Sequence, residues 1–246
     1  MKKTLLAVVA FALLHSSCTT NAQKSQSSLF VLVHGAWGGG WAFKEVDLLL
    51  SAKGHTVYRP TLTGQGEKVH LADKSIGLDT HIADIVNVIK YEELDDIILV
   101  GHSYGGMVVT GVANQLSDRI KHLVYLDAVV PSNGESAASI MGSLGISTDG
   151  FIIPSWVRED QQPPKDVPHP AKTWSDSIVV DDELLKGLST TYILTVDSGK
   201  SAAQDDFYSQ SQRAQNRNWS VLQLEADHNA QWSAPNELAE LLCKEL

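Results

Sequence analysis

Ile97-Ile98-Leu99-Val100-Gly101-His102-Ser103-Tyr104-Gly105-Gly106-Met107 is the stretch that decides the fold. The unbroken apolar run from Ile97 to Val100 reads as a strand buried on both faces. It passes at once into Gly101-His102-Ser103-Tyr104-Gly105, a G-x-S-x-G sequence, and then into helical sequence from Met107 to Leu116. Strand, tight turn and helix in that order are the setting in which such a serine becomes a nucleophile. Flanking glycines remove Cβ atoms that would strike the neighbouring strand and helix, so the serine can sit in a strained turn. Its Oγ then projects beyond the strand's carboxyl end, where the dipole of the following helix favours negative charge. The plain alternative is a glycine-rich strand-to-helix turn with no chemistry.

Outward from this turn, the same alternation extends along the chain. Apolar runs at Leu29 to Val33, His55 to Arg59, His122 to Leu126, Tyr192 to Val196 and Ser220 to Leu224 read as strands. Helical patterns run from Phe43 to Lys53, stopped by Gly54, and from Ile82 to Ile89, with Asp79 or Thr80 as N-cap. Glu237 to Glu245 reads as the closing helix. Strands alternating with helices predict a mostly parallel sheet covered on both faces. Between about 131 and 189 the alternation lapses into sequence rich in Gly, Pro and Trp. A structureless loop of that length would be unusual, so the segment reads as an inserted cap of short helices. No repeat or linker divides the stretch 29–246, which reads as one domain.

The chain has 246 residues, and 43% are apolar, enough to supply a core. A formal net charge of −10 argues against nucleic acid as a partner. The N-terminus reads separately from the fold. Lys2 and Lys3 precede an apolar run from Leu5 to Leu14 and a small polar stretch from Ser16 to Ala22. That is the pattern of a secretory signal over residues 1–22, which predicts an exported protein, periplasmic, secreted or held at the cell envelope. Thr20-Asn21-Ala22 offers one cleavage site, leaving Gln23 first and residues 23–28 as a short linker. Cys18 as a lipid-anchor cysteine is the other exit, although His15 stands where that signal prefers a small or aliphatic residue. With Cys18 and Cys243 alone there is no disulfide framework. Cys243 reads as a free, partly buried thiol in the last helix. No His/Cys spacing suggests a metal, and no cofactor is expected.

Serine needs a base to become a nucleophile. His228, in Glu225-Ala226-Asp227-His228, follows the last strand and precedes the final helix. The nucleophile precedes it in the chain, as this kind of turn requires. His55, His70, His81, His122 and His169 have no such placement and read as surface or supporting residues. His34 reads as a core histidine that bridges loops. For the oxyanion that develops during acyl transfer, the Tyr104 N–H is one donor and the Ala36 N–H, in the loop after the first strand, is the other. The acid that orients His228 has two candidates at strand ends. Asp197 follows Tyr192 to Val196, and Asp127 follows Leu123 to Leu126 inside an otherwise apolar segment. A carboxylate there is expensive to bury without a partner, which favours Asp127; the alternative for Asp127 is a cap-anchoring role.

These residues resemble the α/β-hydrolase superfamily, in the branch of plant methylesterases, hydroxynitrile lyases and related bacterial esterases. The resemblance rests on 31–41, VLVHGAWGGGW; 59–67, RPTLTGQGE; 78–81, LDTH; 101–107, GHSYGGM; 124–131, VYLDAVVP; and 226–228, ADH. It implies an α/β-hydrolase fold beginning at Leu29, with an active site between sheet and cap. It also implies a serine esterase acting on a small-molecule carboxylic ester through Ser103, His228 and an acid. The segment ending at Asp127 is similar to haloalkane dehalogenases that place their acid after this strand, but their nucleophile is an aspartate. The lyases carry a lysine where this chain has Asn229 and a threonine where it has Gly35, which favours ester hydrolysis over C–C cleavage. A ligand-binding protein that keeps the triad is a further alternative. Trp37, Trp41, Trp156 and Trp174 are expected to shape an apolar pocket or to pack the core.

Overall fold

The computed structural model describes residues 27–147 and 149–244. The expected export signal at 1–22 and Cys18 lie outside the described residues. In chain order the elements are β1 (Leu29–Val33), α1 (Lys44–Ala52), β2 (Thr56–Tyr58), α2 (Leu78–Tyr91), β3 (Ile97–His102), α3 (Gly105–Leu116) and β4 (Ile120–Leu126). Then come α4 (Ala137–Met141), β5 (Phe151–Ile152), β6 (His169–Pro170), α5 (Ala171–Ser175) and α6 (Asp182–Lys186). The chain closes with β7 (Thr190–Val196), α7 (Tyr208–Asn216), β8 (Ser220–Glu225), α8 (Ala230–Ser233) and α9 (Pro235–Lys244).

Six strands form one sheet in the order β2-β1-β3-β4-β7-β8, every pairing parallel. Alternate residues of each strand point to opposite faces, and both faces are apolar. Val31, Val33, Leu99 and Tyr125 pack against α2 and α3, while Phe30, Leu32, Ile98, Val100 and Val124 pack against α1 and α9. Burial on both sides explains why these strands read as continuous apolar runs. From β1 the chain moves outward to β2, then returns to the other side of β1 for β3. The loops leaving β1 and β3 therefore diverge, and ligands of open α/β sheets bind at such a switch point.

Two sequence expectations change here. The helix α2 begins at Leu78, not Ile82, and neither Asp79 nor Thr80 caps it. Its N-cap is Gly77, and the Leu78 amide instead donates to the Asp176 carboxylate at 3.1 Å, from beyond α5. A Cβ on Gly77 would lie 2.3 Å from that carboxylate, so glycine lets the remote cap approach. The segment 131–189 holds three one-turn helices, α4, α5 and α6, but also the two-residue antiparallel ladder β5–β6 and irregular chain between Ile152 and His169. Proline at 154, 163, 164 and 168 deprives that stretch of the amides a helix needs.

Candidate active site

Ser103 follows β3 with φ +55, a left-handed conformation that is strained for a residue with a side chain. The surroundings hold it there. Its amide donates to Leu126 O at 3.2 Å, and its carbonyl accepts from the amides of Gly106 at 3.1 Å and Val129 at 3.0 Å. The turn has no room for other residues: a Cβ at 106 would lie 2.1 Å from Val129 O, and one at 105 would lie 2.8 Å from Val33 O.

His228 stands in the turn between β8 and α8, and its Nε2 accepts from Ser103 Oγ at 3.0 Å. Its Nδ1–H donates to Asp127 Oδ2 at 2.7 Å. Asp127 is fully buried at the end of β4 and also takes φ +43. Its amide donates to Ile193 O at 2.8 Å, and its second oxygen accepts from the Thr195 amide at 3.2 Å. The buried carboxylate thus has both oxygens partnered, as a carboxylate inside a protein requires. Asp197 takes no part: it is 41% exposed and pairs with Lys200 at 2.6 Å. The structure therefore brings Ser103, His228 and Asp127 into one chain of hydrogen bonds and leaves Asp197 at the surface.

Ala36 and Ser103 both line a cleft of about 130 Å³, and the Tyr104 amide follows the serine at the start of α3. Neither the Ala36 nor the Tyr104 amide has a partner among the described residues. Gly35 permits the close approach: a Cβ there would lie 2.9 Å from Ser103 Cβ and 3.1 Å from His102 Nδ1. The next residue but one, Trp37, has φ +65 and is held from the cap side. Its carbonyl accepts from the Val167 amide at 2.9 Å, and its indole donates to Ile152 O at 3.1 Å.

Several supporting residues carry no mark in the sequence. His228 lies between two rings, Phe207 stacked at 4.7 Å and 14°, and His102 tilted at 4.7 Å. His102 Nε2–H donates to the His228 carbonyl at 2.8 Å. Burial, reinforced by neighbouring His228, holds His102 well below the ordinary imidazole pKa, so it is a neutral donor. His34 bridges loops as expected: Nδ1–H donates to Gly35 O at 2.7 Å, and Nε2 accepts from the Leu62 amide at 3.1 Å. Both bonds require the neutral ring, and burial lowers its pKa to about 4. Of the two readings open for His81 and His169, surface or supporting, the structure selects the second, since both are fully buried. His81 donates to Thr63 O and accepts from the Tyr104 hydroxyl at 3.1 Å, while His169 contacts Gln65 and Thr173. A single histidine in sequence gives no sign of which partners a distant segment will supply.

The tryptophans divide by role. Trp37, Trp156 and Trp232 line the inner cleft, and Trp41 joins Trp156 and Trp232 in an outer vestibule of about 610 Å³. Trp174 does neither: it stacks on Tyr104 and donates to Gly142 O at 3.0 Å, anchoring the cap to the core. Cys243 is free and half-buried in α9.

The profile of the Alpha/beta hydrolase family matches residues 30–241. A carbendazim hydrolyzing esterase of Nocardioides sp. (strain SG-4G) is 53% identical over 112 residues, 46% of each chain. Salicylic acid-binding protein 2 of Nicotiana tabacum is 30% identical over 113 residues, 46% of this chain and 44% of that one. The chain thus spans about half the length of the curated relatives it matches. Among solved structures, a methylesterase from Arabidopsis is 25% identical with a TM-score of 0.69, covering 89% of this chain and 98% of that one. An extracellular α/β-hydrolase from a Paenibacillus species, 22% identical, shares the fold with a TM-score of 0.73 over 88% of this chain and 98% of that one.

Proposed function

The chain belongs to the α/β-hydrolase family, and we propose that it is a serine esterase cleaving a small carboxylic ester through an acyl-enzyme. The observation that carries this reading is the unbroken series Ser103 Oγ, His228 Nε2, His228 Nδ1, Asp127 Oδ2 at the floor of a cleft. Ser103 Oγ attacks the ester carbonyl carbon while its proton passes to His228 Nε2. The oxyanion is held by the Ala36 and Tyr104 amides, and Asp127 stabilises the imidazolium that forms. Collapse expels the alkoxide, which leaves as alcohol with the proton from Nε2. Water, deprotonated by the same nitrogen, then attacks the acyl-serine, and Ser103 recovers its proton as the carboxylic acid departs.

Names among the relatives support ester hydrolysis: a carbendazim hydrolyzing esterase, a pyrethroid hydrolase and a methylesterase. Asn229 and Gly35 weigh against the lyase alternative, because Gly35 has no room for a threonine without displacing Ser103. With p-nitrophenyl acetate, Ser103→Ala should lose on the order of 10⁴ or more of kcat. Retained turnover, or cyanohydrin cleavage by the unaltered chain at a rate rivalling ester cleavage, overturns the reading. Residues 1–22 are read as an export signal. Mass spectrometry of the protein from a fractionated host should find Gln23 first or Cys18 acylated, and an intact N-terminus in the cytosolic fraction removes this part of the reading.

A further inference from the structure

Beyond the reacting groups, the inner cleft and the outer vestibule share three lining residues, Trp156, Asp166 and Trp232. They form the neck between the two spaces. Trp232 stacks on Trp41 at 5.4 Å and 11°, making one continuous indole wall. Trp156 and Trp232 are 55% and 45% exposed, large apolar rings left open to solvent where a ligand must pass.

Asp166 is half-buried among these rings. It enters none of the ion pairs among the described residues. Burial pushes its pKa upward, and the Trp156 indole opposes this in part. The neighbouring Lys165 lines only the outer vestibule, and its ammonium donates to Glu159 O at 2.8 Å. The neck thus combines π-faces with a carboxylate that the Trp156 indole hydrogen-bonds but that no cation pairs among the described residues. That is the chemistry that recognises a cation: indole faces attract it through their quadrupole, and partial desolvation strengthens its pairing with the carboxylate. A net charge of −10 adds attraction at longer range.

We propose that Trp41, Trp156, Trp232 and Asp166 form a subsite for a positively charged nitrogen group, carried by the substrate on the side remote from its scissile carbonyl. The inference rests on the ester-hydrolase reading for its link to turnover, but the subsite can be tested by binding alone. The kinetic pair is 3-(trimethylammonio)phenyl acetate and its neutral isostere 3-tert-butylphenyl acetate. The ratio of their kcat/KM values, compared between the unaltered chain and Asp166→Asn, cancels the difference in leaving-group reactivity. The ratio should fall on the order of fivefold in the variant, through KM for the cationic ester, and should also fall with added salt. Benzyltrimethylammonium titrated against Ser103→Ala should quench tryptophan fluorescence, and Asp166→Asn in that background should weaken binding to a similar degree. Far-UV circular dichroism verifies that each variant is folded, and Asp166→Glu should restore part of the preference. An unchanged ratio together with unchanged binding overturns the subsite. Absence of cleavage of both esters, with cation binding intact and sensitive to Asp166, overturns the ester reading and leaves the subsite standing.

Discussion

The floor of the cleft and its roof are built in different ways. On the floor, Ser103 and Asp127 follow β3 and β4 directly and His228 stands in the turn after β8, and backbone bonds carry each strand end into the next. Ser103 N reaches Leu126 O, Asp127 N reaches Ile193 O and Ala226 N reaches Val196 O, at 3.2, 2.8 and 3.1 Å. On the roof, Trp156 and Asp166 stand in irregular chain between β5 and β6, tied down through the Val167 amide on Trp37 O. Chemistry needs reacting atoms held to fractions of an ångström, and the sheet supplies that. Selection among substrates tolerates a softer wall. Floor substitutions should therefore act on kcat, and roof substitutions on KM and preference.

The sharpest break of this comparison comes from the two strand-end aspartates. Asp127→Asn should lower kcat by about 10³ to 10⁴, because an amide can present its NH₂ to Nδ1 and favour the wrong tautomer. Asp197→Asn removes only an exposed, solvent-screened pair with Lys200, a contact of little energetic weight, and kcat should stay within about twofold. Steady-state kinetics on a single aryl ester compares the two. Equal losses would show that the floor does not end at Asp127.

This pair also shows what was legible beforehand. The sheet, the elbow and His228 could be read from apolar runs and glycine placement, since those signals are local and each glycine answers a nearby backbone atom. Asp127 could be preferred because a carboxylate in an apolar segment needs a partner. Its left-handed backbone and its bond to the Thr195 amide could not be read, as both depend on β7 packing beside β4. The roof was legible only as irregular sequence. Nothing near Asp166 signals that Trp232, far along the chain, completes its surroundings. Of the two readings open for Trp174, pocket or core, only the structure selects core packing, because composition does not say which way a ring faces.

Floor and roof meet along a seam of buried imidazoles, and acid should open it. His34 lies on the floor, His169 in β6 of the roof, and His81 between them near Tyr104. Burial lowers the pKa of all three, His34 to about 4. In the unfolded chain a histidine takes its proton near pH 6.5, whereas the folded protein resists until lower pH. The stability held by neutral His34 is therefore complete above pH 6.5 and declines as pH falls toward 4, by up to about 3 kcal/mol. His81, His169 and His102 act in the same direction. Thermal unfolding should show a midpoint that is level down to about pH 6.5 and drops steadily from there to about pH 4.5. A flat profile would show that these rings do not hold the seam.

The smallest effect tests how far the floor's rigidity extends into its loops. Phe207 belongs to neither wall: it precedes α7, on the connection from β7, and covers one face of His228 at 4.7 Å. It is not itself among the residues that line the cleft, and its ring meets His228 face on, so it acts by fixing the plane of the imidazole. Stacking of this kind is worth about 1 kcal/mol beyond area. Phe207→Leu should lower kcat about fivefold to tenfold by this estimate, with KM little changed, and Phe207→Tyr should restore most of it. A variant that raises KM and leaves kcat alone would place Phe207 with the roof, and the division between the two walls would then run through His228 itself.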